Sequence, residues 1–129
     1  VNRVLDSRIE RFVHRRKGTY TRYADDICIS FPKDYPKRIR GTVQVVRRHL
    51  KAFGYELNGK KTRILRQHQQ QKVTGLVVND RVNVPRHIRR KLRAVEHRLN
   101  TGQRATMTRE QLIGWKALLD MVEQQREDA

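Results

Sequence analysis

Two neighbouring aspartates, Asp25 and Asp26, separate two runs of residues that have the composition of β-strands. The run before them, residues 19–24, is rich in Thr and Tyr, which favour strands. The run after them has apolar residues at alternate positions, namely Ile27, Ile29 and Phe31. Two strand patterns joined this closely predict a β-hairpin that carries both carboxylates at its tip.

Adjacent carboxylates repel each other, and a divalent cation would relieve that repulsion. Mg²⁺ takes oxygen ligands, and proteins commonly hold it with one or two carboxylates together with substrate phosphates. We therefore predict that Asp25 and Asp26 are metal ligands on an exposed turn. The alternative is a polar hairpin turn without a metal, since Asp is a common turn residue.

Several segments of this sequence resemble reverse transcriptases, in the form typical of bacterial retron-type enzymes. Residues 20–26, Tyr-Thr-Arg-Tyr-Ala-Asp-Asp, are similar to the family's Tyr-x-Asp-Asp hairpin. Residues 58–62 resemble the Asn-x-x-Lys-Thr element, residues 73–79 resemble the strand that follows it, and residues 84–97 resemble the start of the thumb. Motifs in the family's order are far more specific than a lone Tyr-Ala-Asp-Asp.

The resemblance implies an α+β fold that is a partial polymerase. Residues 1–79 would form the C-terminal part of the palm, an antiparallel hairpin sheet backed by helices, and residues 80–129 would form a small helical thumb. Members of this family also use a third aspartate on an earlier strand and fingers that grip the nucleotide. Neither precedes the hairpin in this sequence, so we expect a fragment of a longer polymerase core that is inactive alone.

Apolar spacing and capping residues predict four helices. The first ends at Gly18, the second runs from a cap at Asp34 to Gly54, the third runs from Val84 to Gly102, and the fourth begins at a Thr108-x-x-Gln111 capping box. Strand patterns predict a short strand at residues 62–65 and a second hairpin, 72–78 with 82–84, that turns at Asn79-Asp80. We expect Tyr55 and Trp115 in the core, and Cys28 as a packed thiol within a strand.

By resemblance, the acidic hairpin would contact both metal and substrate. Asp25 would be the main metal ligand and Asp26 a weaker one, in a site for two Mg²⁺ ions that an aspartate outside this chain completes. Tyr23 and Ala24 would approach the primer end and the incoming nucleotide, with ordinary strand packing as the alternative for Tyr23.

Two further motifs receive substrate roles from the same resemblance. Lys61 would lie near the nucleotide phosphates and protonate pyrophosphate, while Lys60 is a neighbouring nucleic-acid contact. Asn58 is expected to shape the turn before them. Thr74 and Gly75 would hold the primer backbone, because glycine permits close approach of a phosphate; a simple bulge is the alternative.

The net charge of +17 predicts a polyanionic partner. Residues 81–104 are the most basic part, with eight Arg or Lys against one acid. Arg22 and four thumb arginines are therefore candidate nucleic-acid contacts; the four are Arg86, Arg89, Arg90 and Arg93. An RNA–DNA hybrid would be gripped through its backbone and shape. The alternative is a basic helix face that is merely solvated.

The function that the resemblance implies is RNA-directed DNA polymerisation, in which a nucleotide is transferred from a dNTP to a primer 3′-hydroxyl. The partners would be an RNA template, an RNA–DNA hybrid, a dedicated non-coding RNA and the rest of the polypeptide. A retron, a group II intron or a phage-defence system all fit. The alternatives are a non-catalytic RNA-binding module of the same fold and a small basic packaging protein, which would be helical without the hairpin.

No apolar run exceeds three residues, so we expect a cytoplasmic protein without a membrane partner.

Overall fold

The computed structural model describes residues 2–128, which divide into two compact units, with the boundary along the chain between Arg66 and Gln67. The architecture is α+β: over the described residues it contains four helices and two small antiparallel hairpins. The predicted α+β class is thereby confirmed, and the assignment of a palm and a thumb remains a prediction. The predicted palm–thumb boundary at 79/80 differs from the division between the units and remains a prediction.

The first unit packs one hairpin against two helices. Its elements are α1 (Arg3–His14), β1 (Thr19–Tyr23), β2 (Asp26–Ser30) and α2 (Pro36–Ala52). Strands β1 and β2 pair antiparallel from Thr19↔Ser30 to Tyr23↔Asp26. The buried core consists of Leu5, Ile9 and Val13 of α1 with Val46 and Leu50 of α2. These residues recur at helical spacing, so the apolar stripes predicted both helices correctly.

Gly18 joins α1 to β1 where no side chain fits. A Cβ at this position would lie 2.7 Å from the Phe31 ring and 2.8 Å from Val13 Cγ1. Glycine therefore lets the hairpin lie directly against the end of α1.

Three predictions for the first unit are wrong. Asp34 does not cap α2, because Tyr35 occupies the N-cap without a side-chain bond and Asp34 forms an ion pair with Arg66. Residues 62–65 are not a strand, since no neighbouring strand within the described residues pairs with them. Tyr55 is 47% exposed rather than in the core, and its hydroxyl donates to Asn2 Oδ1 at 3.1 Å.

The second unit begins with a very short hairpin, β3 (Lys72–Val73) with β4 (Leu76–Val77). It turns at Thr74-Gly75, so the predicted strand 72–78 is broken in the middle. Both turn residues have positive φ, 49° and 85°, and this combination reverses the chain within two residues. The predicted pairing across Asn79-Asp80 survives only as a bridge between Val77 and Asn83.

A helical hairpin completes the second unit, with α3 (Arg86–Asn100) packed on α4 (Arg109–Glu127). Leu92, Val95 and Leu112 are its buried centre, and Trp115 packs against them as expected. The predicted capping box is present: Thr108 N–H donates to Gln111 Oε1 at 3.0 Å, and Gln111 N–H donates to Thr108 Oγ1 at 3.3 Å. None of the helices within residues 2–128 is long and apolar enough to cross a membrane.

Candidate functional site

The acidic pair lies where β1 turns into β2. Tyr23 pairs with Asp26, so Ala24 and Asp25 form a two-residue loop. Ala24 has φ of 51°, a conformation that costs an L-residue about 1–2 kcal/mol. Asp25 stands at the apex, Asp26 begins β2, and both residues are exposed. The hairpin that the sequence predicts, with its carboxylates at the tip, is therefore present.

The two faces of this hairpin have different environments. Directly paired residues share a face, and successive residues alternate between faces. Tyr23 and Asp26 therefore lie together on the open face, where Tyr23 is 72% exposed. The packing alternative for Tyr23 is wrong. Cys28, on the same face, is half-buried.

The opposite face carries Arg22, and α1 contributes the carboxylate that binds it. Arg22 Nε donates to Asp6 Oδ1 at 2.8 Å, and Arg22 Nη2 donates to Asp6 Oδ2 at 2.7 Å. The Tyr20 hydroxyl donates to Asp6 Oδ1 at 2.6 Å. The remaining arm of the guanidinium, Nη1, donates to the Ala24 carbonyl oxygen at 2.6 Å. One arginine thus connects the first helix to the acidic turn.

These contacts change the acidity of the groups involved. The hydrogen bonds from Arg22 and then Tyr20 lower the pKa of Asp6 to about 2, because they stabilise the carboxylate. Burial, followed by the bond to Asp6, raises the pKa of the Tyr20 hydroxyl. Asp6 is therefore ionised and Tyr20 is a neutral donor over the whole physiological range.

The sequence did not reveal Asp6 and Tyr20 as neighbours of the acidic turn. Asp6 is 16 residues from Arg22 and 14 from Tyr20, so no local pattern links them. The guanidinium of Arg22 is committed to contacts within the chain, and its role as a nucleic-acid contact remains a prediction.

The carboxylates of Asp25 and Asp26 fit part of the shell that a hard cation takes, because both offer exposed oxygens on adjacent residues. Within residues 2–128, no three or more His, Cys, Asp or Glu side chains form a group suited to a metal ion. The pair therefore needs further oxygen ligands from water, substrate phosphates or another segment. Its role in metal binding remains a prediction.

The lysine motif forms a turn shaped by Asn58, as expected. Asn58 Oδ1 accepts from the backbone N–H groups of Lys60 at 3.1 Å and Lys61 at 3.3 Å. The Asn58 carbonyl accepts from Thr62 N–H at 3.0 Å and from its hydroxyl at 2.8 Å. Lys60 and Lys61 are exposed on this turn and available to an anion.

Thr74 and Gly75 lie in the second unit, at the exposed turn of its short hairpin. The sequence predicted these two residues inside a strand, with a bulge as the alternative. Both predictions are wrong, because the two residues form the turn between β3 and β4. A turn with an open glycine still permits close approach of a phosphate, and the contact with primer remains a prediction.

Basic side chains cover the face of α3 opposite its buried stripe. Helical spacing of three and four residues brings the four predicted arginines, all exposed, to one face; they are Arg86, Arg89, Arg90 and Arg93. The single acid of this helix, Glu96, forms an ion pair with Lys116 of α4. The positive charge of the arginine face is therefore not offset by acids within α3.

Helix α2 has a second basic face, which the sequence patterns above did not single out. Its exposed cations are Lys37, Arg40, Arg47, Arg48 and Lys51, and the helix contains no acid. The signal was in the sequence: these positions recur at helical spacing opposite the apolar stripe.

Comparison with known proteins agrees with the resemblance of the motifs. No protein-family model matches the chain. Over 92% of its length it is 35% identical to the retron Mx162 reverse transcriptase of Myxococcus xanthus and, again over 92%, 33% identical to the retron Mx65 reverse transcriptase of that organism. It is 31% identical over 89% of its length to the retron Ec86 reverse transcriptase of Escherichia coli. The chain spans 27–35% of the length of these relatives. These residues are therefore related in sequence to a segment of the retron reverse transcriptases.

Proposed function

We propose that this chain is the part of an RNA-directed DNA polymerase that carries the acidic hairpin, and that further polypeptide completes the enzyme. The observation that carries the proposal is the turn itself, which holds Asp25 and Asp26 exposed on a hairpin packed against its own helix. The relatives named above are reverse transcriptases, which supports the proposal. The motifs of this sequence also resemble those of that family in their order.

In this role Asp25 and Asp26 bind Mg²⁺ together with ligands from outside the chain. The bound metal would activate the primer 3′-hydroxyl and stabilise the leaving pyrophosphate. Tyr23 shares the open face with Asp26 and contacts the primer end, while the small Ala24 leaves room for the nucleotide. Lys61 contributes a flexible ammonium for the phosphates, and the Asn58 turn positions its backbone.

The arginine face of α3 binds the phosphate backbone of the RNA–DNA hybrid in this proposal. Backbone contacts carry no sequence information, so binding is independent of sequence and weakens steeply with salt. Thr74 and Gly75 approach the primer strand from the second hairpin. The RNA partner in this proposal is a template, and the resemblance to retron-type enzymes implies a dedicated non-coding RNA in that role.

Primer extension by the complete polymerase polypeptide tests the catalytic proposal. Asp25→Asn is expected to reduce Mg²⁺-dependent extension by more than about a hundredfold, beyond the loss seen for groups that only support a metal ligand. Asp80→Asn, at an exposed position in the second unit, is the matched control and should retain activity. Equal extension by both variants would overturn the proposal.

The same assay separates the catalytic proposal from a non-catalytic RNA-binding module. Such a module would bind the hybrid and show no metal-dependent extension even with Asp25 intact. The packaging alternative required a helical chain without the acidic hairpin, and the hairpin is present.

Hybrid binding by the 129-residue chain tests the role of α3. The four predicted arginines, changed together to Gln, should reduce the slope of log affinity against log salt by about 0.9 for each phosphate that the protein no longer neutralises. The matched control removes four charges from α2 instead: Lys37, Arg40, Arg47 and Arg48 to Gln. Fluorescence anisotropy of a labelled hybrid measures both. If the two variants show the same decrease in slope, net charge and not the α3 face governs binding.

A further inference from the structure

We propose that Asp6, Tyr20 and Arg22 form a positioning cluster that orients the acidic turn for metal binding. The inference rests on the proposed metal role of Asp25 and Asp26, and assigns a function to residues outside that pair. The three residues are called the Asp6 cluster below.

Arg22 is the residue that contacts both α1 and the turn. Its guanidinium is planar and rigid, and uses two arms on the two oxygens of Asp6 and the third on the Ala24 carbonyl. That carbonyl belongs to the peptide group joining Ala24 to Asp25. The orientation of this peptide group sets the direction in which the Asp25 side chain leaves the backbone.

The turn needs such a support because of its backbone conformation. Ala24 has φ of 51°, where an L-residue is strained, and such conformations persist only when surrounding contacts hold them. The Arg22 bond to the Ala24 carbonyl is a contact of this kind. This bond acts on the loop residue next to Asp25, and Arg22 lies on the face opposite the open face that carries Tyr23 and Asp26.

The anchoring end of the Asp6 cluster lies next to the core of the first unit. Asp6 accepts three hydrogen bonds from Tyr20 and Arg22, and its side chain is 26% exposed. Asp6 follows the buried Leu5, and Tyr20 packs against the core that contains Leu5 and Ile9. The Asp6 cluster therefore links the turn to the core of the first unit.

An ordinary ion pair that fastens α1 to β1 makes a different prediction. A lysine at position 22 would keep the charge attraction to Asp6, but a single ammonium cannot reproduce two parallel bonds to the carboxylate and a third to Ala24. Arg22→Lys thus separates positioning from simple attachment. Tyr20→Phe is a second variant that keeps the packed ring and removes one bond to Asp6.

The test is a titration of the ¹⁵N-labelled chain with Mn²⁺, followed by paramagnetic broadening of the Ala24, Asp25 and Asp26 amide signals. Arg22→Lys is expected to raise the Mn²⁺ concentration for half-broadening about tenfold, the scale for partners that orient metal ligands. The thermal midpoint should fall by no more than a few degrees, because lysine keeps the charge attraction to Asp6. Tyr20→Phe should shift the Mn²⁺ concentration in the same direction by a smaller factor. Arg47→Lys, an exposed arginine on α2, is the matched control and should titrate like the unaltered chain.

Asp25→Asn in the same titration distinguishes the two levels of the proposal. If broadening depends on Asp25 and Arg22→Lys leaves it unchanged, the metal role stands and the positioning role is overturned. If Asp25→Asn and the unaltered chain show the same broadening, the metal role of Asp25 is wrong, and the positioning role is wrong with it.

Discussion

Both hairpins of this chain reverse direction within two residues and use a positive φ to do so, but the contacts beside the two turns differ. Strands β1 and β2 have five residues each and pack on the core of the first unit, whereas β3 and β4 have two residues each. The first turn is held by the charged Arg22, which is bonded to Asp6. Beside the second hairpin, the neutral side-chain amide of Asn79 bonds to the segment that precedes β3 rather than to the turn.

Asn79 makes its contacts with the segment that precedes the short hairpin. Its Nδ2 donates to the carbonyl oxygens of Gln67 at 3.0 Å and Gln69 at 2.8 Å, and its Oδ1 accepts from Gln71 N–H at 2.9 Å. A two-stranded hairpin of this length is not stable by itself. The three hydrogen bonds of Asn79 to neighbouring backbone groups therefore help to stabilise it. The longer hairpin is stabilised by packing on the core of the first unit. Arg22 of the Asp6 cluster contacts its turn directly.

Asn79→Ala should have the largest effect on this comparison. It removes three hydrogen bonds to backbone groups and is expected to destabilise the second hairpin by about 1–3 kcal/mol. Faster amide exchange at Val77 and Asn83, the residues of the isolated bridge, measures the loss. Asn100→Ala, exposed at the end of α3, is the control. Unchanged exchange at Val77 would show that the short hairpin is held by other contacts.

Acid should lower the free energy of unfolding of the first unit through Asp6 by about 1 kcal/mol, because solvent screens the ion pair with Arg22. The folded pKa of Asp6 lies near 2, below its ordinary value of 3.8, so its contribution is complete above about pH 4 and is lost as the pH falls towards 2. Tyrosine absorbance follows the first unit, which contains all four tyrosines, and Trp115 fluorescence follows the second. The difference between the unaltered chain and Asp6→Asn isolates this group. A difference that does not vary between pH 4 and 2 would contradict the role of Asp6.

Glycine at either strained turn residue should have the smallest effect. Ala24→Gly and Thr74→Gly each relieve a positive φ, and the gain is offset in part by the greater freedom of glycine when unfolded, so we expect about 0.5 kcal/mol of stabilisation or less. Denaturant unfolding, followed by the two probes above, compares the variants. A clear loss for Ala24→Gly alone would mean that the alanine methyl group, and not only the backbone, supports the first turn.

Local patterns predicted the parts of the fold that depend on local forces. The helix stripes, the stop at Gly54 and the Thr108 capping box follow from spacing within a few residues, and all are present. The wrong predictions depended on distant partners: Asp34 pairs with Arg66 instead of capping α2, and Tyr55 bonds to Asn2 at the other end of the unit. The second hairpin turned early because Thr74 and Gly75 both adopt positive φ, which the strand pattern around them concealed.

For the site, the exposed acidic turn and the arginine face of α3 could both be predicted from the amino-acid sequence. Both follow from the period of a single strand or helix, which places each residue on a face without reference to the rest of the chain. No local pattern predicted that Arg22 bonds to Asp6, 16 residues away, and to the Ala24 carbonyl beside Asp25. That contact exists because α1 packs on the hairpin, and packing between elements brings together residues that no sequence spacing relates.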